Sequence, residues 1–386
     1  MARRSVTVLG VNDGHDAGAA LIRDGRVLAA LQEERLRNIK HYSGIPELSI
    51  KEVFRIAKVH PSEVDVIAIV GLVRTHAPLK ERPLHVKLFE KLSPYIASHT
   101  FAKLYVKVLH KFRKMKYLYK VFRELGIEEK EVVFIEHHLA HAACAYRSSP
   151  WSYDEPVLVF TADGAGDGLS STVSIGEKGE LRRIAESIYY DSLGNVLYSE
   201  ITRYLGLKPW DHEYKVMGLA PYGNAEFCLD CIKKIIRLHP KNPLKFQNTI
   251  RGYCEGVQPK LRKLLAGQRF DNIAAATQLW FEELMTSWIR YAVEKTEIHK
   301  IVCAGGLFLN VKANKRIVEM PEIEDAFFYP AANDGGTPVG AALQAYYDYC
   351  KAEGIKPQKV PITDVYYGPA YTNDEIKKVL KKTGWI

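Results

Sequence analysis

Two histidines and two aspartates are the residues of this sequence with the clearest potential for chemistry. His137 and His141 stand four residues apart in E-H-H-L-A-H-A, directly after an apolar run. A helix that begins there would place both imidazoles on one face, where two nitrogens can reach one metal ion. Asp163 and Asp334 each stand in an Asp-Gly turn that ends another apolar run. Two imidazoles and two carboxylates suit a catalytic metal; the alternative is that the histidine pair only packs or caps a helix.

Length and composition set broad limits on the architecture. The chain has 386 residues, of which 47% are hydrophobic and 26% are charged, and this size fits two large lobes or domains. No run approaches 18 consecutive apolar residues, and the N-terminus leads into a strand without a signal-like segment. Six cysteines in such a chain argue against a disulfide framework. We therefore expect a soluble, cytoplasmic protein without membrane contact.

The formal net charge of +9 is concentrated in one segment. Between Lys103 and Lys120 lysines are interleaved with aromatic and aliphatic residues, which predicts a basic amphipathic helix. Such a helix could contact nucleic acid, an anionic partner or an acidic domain. A solvated helix face is the simpler interpretation, so nucleic acid is not expected as a partner.

An internal duplication indicates the fold. Residues 5–33 read as three short strands joined by Asp-Gly turns, and residues 156–186 repeat this plan. Two such lobes predict an α/β chain with a duplicated actin-like or sugar-kinase ATPase fold, in which the lobes surround a central nucleotide and metal cleft. The expected divisions are a first lobe at 1–150 with a helical insertion at about 80–125, a second lobe at 151–350, and a linker segment at 351–386.

Local patterns predict further elements. Ser49 and Glu52 form a capping box that predicts the start of a helix to about Lys58. Apolar residues at helical spacing predict a long helix over about 271–296, and another helix is expected at 336–349. Residues 210–223 read as a polar, glycine-punctuated loop.

Two strand–glycine–helix junctions favour a nucleotide. They contain Gly305-Gly306 and Gly335-Gly336. Glycine lets a backbone approach a ligand closely, and the N-terminus of a helix favours anions. Each junction alone could be only a tight turn, but their repetition at strand ends indicates a phosphate-binding cleft.

Several long motifs resemble the NodU/CmcH-type O-carbamoyltransferases, over nearly the whole chain from about Val8 to about Glu375. They are G-V-N-D-G-H-D-A-G-A-A-L, Q-E-E-R, E-H-H-L-A-H-A, T-A-D-G-A-G-D-G, E-Y-K-V-M-G-L-A-P-Y-G, G-G-L-F-L-N-V-K-A-N and P-A-A-N-D-G-G-T-P-V-G-A-A-L. The resemblance implies carbamoyl transfer in two stages. Carbamoyl phosphate and ATP give carbamoyladenylate in a C-terminal YrdC-like domain, and the N-terminal actin-like domain passes the carbamoyl group to a hydroxyl acceptor.

The resemblance also implies a ligand set and a nucleotide site. The metal is expected to be iron, with zinc or manganese as alternatives, on His137, His141, Asp163 and Asp334. The expected contacts of ATP or carbamoyladenylate are Asp163, Gly164, Gly166, Lys215, Gly218, Gly305, Gly306, Asn310, Gly335 and Gly336. Asp13 and His15 are the candidate catalytic residues, with His15 as base for the acceptor hydroxyl. The alternative for His15 is a turn histidine hydrogen-bonded to backbone.

The family pattern continues well beyond this chain, whose residues 366–386 look like the start of the segment that leads into the YrdC-like domain. That domain is therefore expected in a longer protein or in trans, and a homodimer is left open. The competing functions are a sugar kinase or ATPase of the same fold, and a non-catalytic module that docks through helix 103–120. A kinase needs a carboxylate base and Mg²⁺ held by oxygens, not a histidine pair.

Overall fold

Two sheets of the same design form the framework of the molecule. The computed structural model describes residues 5–73 and 115–385. The first sheet has the strands β1 (Thr7–Asn12), β2 (Gly18–Arg23), β3 (Arg26–Gln32), β4 (Val66–Val70) and β5 (Glu131–Ile135) in the order β3-β2-β1-β4-β5. β1, β2 and β3 form an antiparallel meander, whereas β4 and β5 run parallel to β1.

The second sheet repeats this topology. Its chain segment contains β6 (Val157–Gly166), β7 (Leu169–Glu177), β8 (Glu180–Ile188), a separate small hairpin of β9 (Ile236–Leu238) and β10 (Phe246–Asn248), then β11 (Lys300–Ala304) and β12 (Asp325–Phe328). The sheet order is β12-β11-β6-β7-β8, with an antiparallel meander and two parallel strands as before. The predicted duplicated actin-like α/β fold is thereby confirmed.

Helices cover both faces of the sheets. The described α-helices are α1 (Glu33–Arg37), α2 (Glu47–Ala57), α3 (Lys116–Glu124), α4 (His137–Ser148), α5 (Ser199–Tyr204), α6 (Glu213–Leu219), α7 (Leu229–Lys233), α8 (Gln258–Leu264), α9 (Phe270–Thr296), α10 (Val311–Val318), α11 (Thr337–Ala352) and α12 (Asn373–Lys382). The predicted helices over about 271–296 and 336–349 correspond to α9 and α11. A π-helical segment, Leu193–Tyr198, leads directly into α5.

Alternating residues along the strands build three apolar cores. In β1, Leu9 faces a core shared with α2 and α3, whereas Val8 faces a central core. In β6, Val159 faces that central core, whereas Phe160 faces a core shared with α9. Because successive side chains of a strand point to opposite faces, each sheet is covered on both sides. The layers are therefore helices, sheet, helices, sheet and helices.

The middle layer joins the two halves of the chain. α4 follows β5 but packs on β6 and β11 of the second sheet, and α11 follows β12 but packs on β1, β2 and β4 of the first. α4 and α11 also pack against each other. A Cβ built on Gly340 of α11 would lie 1.9 Å from the Ala140 carbonyl oxygen of α4, so glycine permits this backbone approach. The crossing places the N-termini of both helices at one point between the sheets.

The start of α2 differs from the prediction. α2 begins at Glu47, so Ser49 lies inside the first turn and is not its cap. The buried carboxylate of Glu33 accepts the backbone N–H groups of Leu48 and Ser49 at 3.1 and 2.7 Å, and the Ser49 hydroxyl at 2.8 Å. A side chain distant in sequence therefore caps this helix, which a local pattern cannot reveal.

The prediction of an open loop over 210–223 is also wrong. Residues Glu213–Leu219 form α6, followed by a 3₁₀ turn at Ala220–Tyr222. Val216 is fully buried and anchors this short helix in the core shared with α9. Tertiary packing has overridden the helix-weakening effect of Gly218.

Part of the predicted insertion lies outside the described residues. The described portion of the expected 80–125 segment includes α3, and most of the basic helix expected at 103–120 falls in the stretch without description. Among the described residues, no helix combines the length and apolar character that crossing a bilayer requires.

Replacement of Gly340 by alanine tests the crossing of α4 and α11. The added methyl group would meet the Ala140 carbonyl, so Gly340→Ala should lower the free energy of unfolding by about 1–3 kcal/mol. Urea titration followed by circular dichroism measures this. Gly218→Ala is the matched control, because nothing lies within 4 Å of its Cβ position, and it should be neutral or slightly stabilising. Equal stability of both variants would contradict the close crossing.

Candidate metal centre

The first turn of α4 positions the two histidines. Glu136 caps this helix, since its side chain accepts the backbone N–H groups of His138 and Leu139 at 3.0 and 2.9 Å. β5 ends at Ile135, so the chain turns from strand into helix immediately before His137. His137 and His141 lie one turn apart, and their Nε2 atoms are 3.2 Å from each other. Both imidazole edges therefore face the same point.

Two carboxylates from the second lobe complete the cluster. The Nε2 of His137 lies 3.3 Å from Oδ2 of Asp163 and 3.4 Å from Oδ1 of Asp334. The Nε2 of His141 lies 3.9 and 3.3 Å from the same two oxygens. Asp163 lies in the turn region at the end of β6, and Asp334 lies between β12 and α11. The structure thus brings together all four residues that the sequence indicated as metal ligands.

The donor set fits one divalent metal ion. Four ligands at about 2.0–2.2 Å from one tetrahedral ion stand about 3.3–3.6 Å apart, and the five donor separations that involve a histidine run from 3.2 to 3.9 Å. Oδ1 of Asp334 is buried, and no described group donates a hydrogen bond to it. A buried carboxylate oxygen without a donor is costly, and a cation would satisfy it. Mixed imidazole and carboxylate donors suit iron, zinc or manganese.

The electrostatics of the cluster also favour a cation. Burial lowers the pKa of His137, but the charge of Asp334 and the hydrogen bond and charge of Asp163 outweigh it and raise the pKa to about 10. Burial raises the pKa of Asp163, yet the hydrogen bond from His137 and the histidine charges hold it well below its usual range. The negative potential that retains a proton here would also retain a metal ion, which competes with that proton.

His138 has a different role from its two neighbours. Its ring is fully buried, and Nδ1 lies 2.9 Å from Oγ1 of Thr161, which in turn lies 2.6 Å from Oγ1 of Thr172. Burial and the charges of His137 and His141 lower the pKa of His138 well below its usual value. The side chain is therefore a neutral core group that joins α4 to β6.

Two glycines shape the surroundings of the ligands. The backbone N–H of Gly306 donates to Oδ1 of Asp163 at 3.0 Å. The other oxygen of this carboxylate, Oδ2, faces the two histidines. A Cβ on Gly166 would lie 2.1 Å from Cδ2 of His137, so only glycine accommodates this ring. Both glycines were expected to contact a nucleotide, and in this structure both contact metal-site residues.

Asp167 supports the site and was not among the residues selected from the sequence. Its carboxylate accepts the backbone N–H groups of Leu72, Val73 and His137 at 2.8 to 3.0 Å. It thereby fixes the start of α4 and connects β4 to the end of β6. The second Asp-Gly of T-A-D-G-A-G-D-G was the available signal, because it repeats the pattern that identified Asp163.

A pocket opens beside the cluster and includes both candidate catalytic residues. Its lining residues are Asn12, Asp13, Gly14, His15, Val70, Gly71, Val73, His137, Ala165, Gly166, Asp167 and Asp334. Asp13 is almost fully buried, whereas the His15 side chain is 31% exposed. Burial lowers the pKa of His15, but the hydrogen bond and charge of Asp16 and the charges of Asp334 and Asp163 raise it to about 9.

The remaining nucleotide candidates lie outside the lining of this pocket. Lys215 and Gly218 are exposed on α6, and the Lys215 ammonium lies 5.8 Å from the centre of the Tyr214 ring. Asn310 caps α10 through the backbone N–H of Ala313, and its amide exchanges hydrogen bonds of 2.9 and 3.0 Å with Gln278. These three residues belong to the second lobe.

The other glycines lie where a side chain would collide with neighbouring backbone or side-chain atoms. Gly305 has a φ of 103°, and its Cβ position would be 2.2 Å from the Ala162 carbonyl oxygen. The Cβ positions of Gly164, Gly335 and Gly336 would be 3.0 Å from Oδ1 of Asn195, 1.9 Å from Nε2 of Gln32 and 2.2 Å from the Ala331 carbonyl oxygen, respectively. Their contact with a nucleotide stays a prediction.

Comparison with known proteins places this chain in a family. The model of the carbamoyltransferase N-terminus matches residues 7–343 of the 386-residue chain. The chain belongs to the carbamoyltransferase N-terminal family. All residues of the metal cluster and the pocket lie inside the matched range of this family domain.

Two curated relatives match nearly all of this chain. An uncharacterized protein of Synechocystis sp. is 30% identical over 392 residues, which cover 95% of this chain and 61% of that protein. Nodulation protein NolNO of Sinorhizobium fredii is 30% identical over 370 residues, which cover 93% of this chain and 50% of that protein. The chain therefore spans between half and two thirds of the length of these two relatives.

A solved structure with a similar arrangement is component A of the (R)-2-hydroxyglutaryl-CoA dehydratase of Acidaminococcus fermentans. The match has a TM-score of 0.43 and 14% sequence identity, and it covers 89% of this chain and 98% of that chain.

Replacement of single histidines on α4 tests the ligand assignment. His141→Ala removes one of the four donors and should abolish stoichiometric metal binding, measured by elemental analysis of the purified protein. His138→Ala should retain the metal, because its ring faces Thr161. It should nevertheless lower the free energy of unfolding by about 1–3 kcal/mol, since a buried hydrogen-bonded side chain is lost. Full metal retention by folded His141→Ala would exclude the assignment.

Gly166→Ala tests the packing of the His137 ring. The new methyl group would displace this ring, so the dissociation constant for the metal should rise by about 10–100-fold, as expected when the support of a ligand is disturbed. Competition with a chromophoric chelator measures the constant. Gly164→Ala in the same turn is the control, since the atoms nearest to its methyl group would belong to Asn195, at 3.0 Å and beyond, and not to a candidate metal ligand. A metal affinity unchanged by Gly166→Ala would contradict this packing.

Proposed function

We propose that this chain is the transfer domain of an O-carbamoyltransferase. It would pass a carbamoyl group from carbamoyladenylate, made from carbamoyl phosphate and ATP, to a hydroxyl of a small-molecule acceptor. Family membership supports carbamoyl transfer in general, and the adenylate donor and the hydroxyl acceptor are the finer parts of the proposal. The YrdC-like activating domain would act in the longer protein or in trans.

The observation that carries the proposal is the mixed cluster of two imidazoles and two carboxylates between the lobes. Its donors are close enough for one ion, and the pocket beside it is lined by His15 and Asp13. A phosphoryl-transferring kinase holds Mg²⁺ mainly through oxygens and water, and it has no use for two buried imidazole donors. The cluster therefore favours carbamoyl transfer over the sugar kinase or ATPase alternative.

His137, His141, Asp163 and Asp334 would hold the metal, with iron as the first candidate. When bound, such an ion supplies a positive charge that polarises a carbonyl and stabilises a departing phosphate. The chain itself orients the ion through the Gly306 N–H on Asp163 and the support of α4 by Asp167. Gly335 and Gly336 precede the N-terminus of α11, which favours the anionic phosphate of the donor.

His15 would act on the acceptor. The acceptor oxygen forms a bond to the carbamoyl carbon, the bond from that carbon to the phosphate oxygen breaks, and AMP leaves with the bonding pair. The acceptor proton passes to His15. Asp13 lines the same pocket beside this histidine and is the second catalytic candidate. The wall formed by Val70, Gly71 and Val73 limits the water around the reacting groups.

Transfer from supplied donor tests the proposed function. Metal-loaded protein should release AMP from carbamoyladenylate faster when a panel of sugars and other alcohols is added, and mass spectrometry should detect a carbamate ester. Use of preformed donor makes the assay independent of the activating reaction. His141→Ala, with the metal site broken, should lose at least about 100-fold of this rate, because the electrostatic stabilisation of the leaving group is gone.

The same assay separates the alternatives. Phosphorylated acceptor formed from ATP, with no carbamate ester under any condition, would contradict carbamoyl transfer and support a kinase. A metal-loaded protein that neither releases AMP nor modifies any acceptor would favour a non-catalytic module.

The pH dependence of transfer tests His15 as the base. A base must be unprotonated, so kcat/KM should rise with pH through the pKa of His15 and level off above it. That pKa is raised to about 9 while the charges of Asp163 and Asp334 are uncompensated, and a bound divalent ion offsets both charges. The midpoint in metal-loaded protein should therefore lie below about pH 9. His15→Gln should abolish this rise, and an unchanged profile would exclude His15.

A further inference from the structure

Beside the pocket, one buried carboxylate is shared by two imidazoles. Asp16 is 3% exposed, and its Oδ1 lies 2.7 Å from Nδ1 of His41. Its Oδ2 lies 3.4 Å from Nδ1 of His15 and accepts the side-chain N–H of Asn333 at 2.7 Å. The rings of His15 and His41 are stacked with their centres 5.3 Å apart. Both imidazoles therefore turn the same nitrogen, Nδ1, towards Asp16.

Asp16 and His41 both have a backbone conformation in the left-handed region. Asp16 has a φ of 48° and His41 a φ of 54°, which are left-handed values that are uncommon for residues with a Cβ but that aspartate and histidine adopt more often than most. Two backbone hydrogen bonds join their segments, from the N–H of Ala17 to the Tyr42 carbonyl at 3.0 Å and from the N–H of Gly44 to the Gly14 carbonyl at 3.2 Å. Strain of this kind persists where surrounding contacts enforce it, and it concentrates at functional sites.

The cluster is better suited to orienting histidines than to binding a second metal. Both oxygens of Asp16 already have hydrogen-bond partners, on His41 and on Asn333. The two rings lie within 18° of parallel, and their Nδ1 atoms lie 3.4 and 2.7 Å from different oxygens of Asp16. A carboxylate that accepts from Nδ1 instead fixes the tautomer in which Nε2 carries no proton and can accept one.

Asn333 connects this carboxylate to the metal cluster. It directly precedes Asp334, which is one of the four candidate ligands. Asn12, the last residue of β1, donates its side-chain N–H to the backbone carbonyl of His15 at 2.7 Å. His41 is held from its other side, where Nε2 lies 3.5 Å from Oδ1 of Asp211 in the second lobe. Asp16 is therefore located by contacts from both lobes.

We propose that Asp16 is a positioning residue that presents Nε2 of His15 to the acceptor hydroxyl, with His41 holding the second oxygen of the same carboxylate. This inference rests on the proposed function, because the acceptor belongs to that reaction. During transfer, the hydroxyl proton moves to Nε2 of His15 as the new carbon–oxygen bond forms. Asp16 stabilises the resulting imidazolium through Nδ1–H and keeps its own charge.

Several charged groups lie around His15, and they determine how strongly a substitution of Asp16 would change its basicity. Asp16 and His41 face it from the first lobe, and Asp163 and Asp334 act on it from the second lobe. Asp13 forms part of the same pocket wall. Among the contacts of the described residues, the Asp16 carboxylate lies 3.4 Å from the His15 ring, so its neutralisation should have a large effect on the basicity of His15 without removing a candidate metal ligand.

Asp16→Asn tests the inference with two readouts. Titration of His15 by NMR in zinc-loaded, histidine-labelled protein should show its midpoint lowered by about one pH unit or more, the usual effect of losing an adjacent opposite charge. His15→Gln identifies the signal. In the transfer assay, kcat should fall by about 100-fold with KM changed less than about twofold, and the rise with pH should move to lower pH. Metal content should equal that of the unsubstituted protein.

Glu33→Gln is the matched control. Glu33 is a fully buried carboxylate nearby that caps α2, so its amide variant should lose stability without moving the titration of His15. An unchanged His15 titration in Asp16→Asn, or an equal shift in Glu33→Gln, would overturn the positioning role. Absence of carbamoyl transfer by the unsubstituted protein would refute the proposed function instead, and the NMR titration would still decide whether Asp16 governs His15.

Discussion

The crossing of α4 and α11 is the constraint on which the rest of the site depends. The crossing is close because Gly340 has no side chain and its Cα lies against the Ala140 carbonyl. Each helix packs on the sheet of the other half of the chain, so neither half can move without disturbing the shared central core. The first turns of both helices then meet, and they bring the histidines and Asp334 together.

The cluster at this crossing lowers the stability of the fold, because four ionisable side chains are buried in it. Two carboxylates and two imidazoles are removed from water, with the histidine nitrogens 3.2 to 3.9 Å from each other and from the carboxylate donor atoms. Buried ionisable groups are costly unless they are paired, and here the pairing depends on a proton or a metal ion shared among them. The supporting contacts are backbone N–H groups, from Gly306 on Asp163 and from three residues on Asp167. Rigid backbone donors keep the ligands in place before any metal binds.

The two repeats contribute different chemistry from equivalent positions. The Asp-Gly pair near the end of β6 supplies the candidate metal ligand Asp163, whereas the turn after β1 supplies Asp13 and His15, which line the pocket, and Asp16, which lies beside it. Similarly, the junction after β5 supplies histidines and the junction after β12 supplies an aspartate. Duplication of the fold has therefore produced an asymmetric site: each lobe supplies two of the four candidate metal ligands, and the first lobe also supplies the candidate base.

The repeated Asp-Gly turns, the strand patterns and the HxxxH spacing were sufficient to predict the duplicated fold and the clustering of the four candidate ligands, because these signals are local and of fixed period. The cap of α2 by Glu33, the helical state of 213–219 and the supporting role of Asp167 were not predictable. Each depends on a partner distant in the chain, such as the core around Val216. Tertiary structure also decided that Gly166 and Gly306 support metal ligands, since only the folded chain shows which atoms approach a missing side chain.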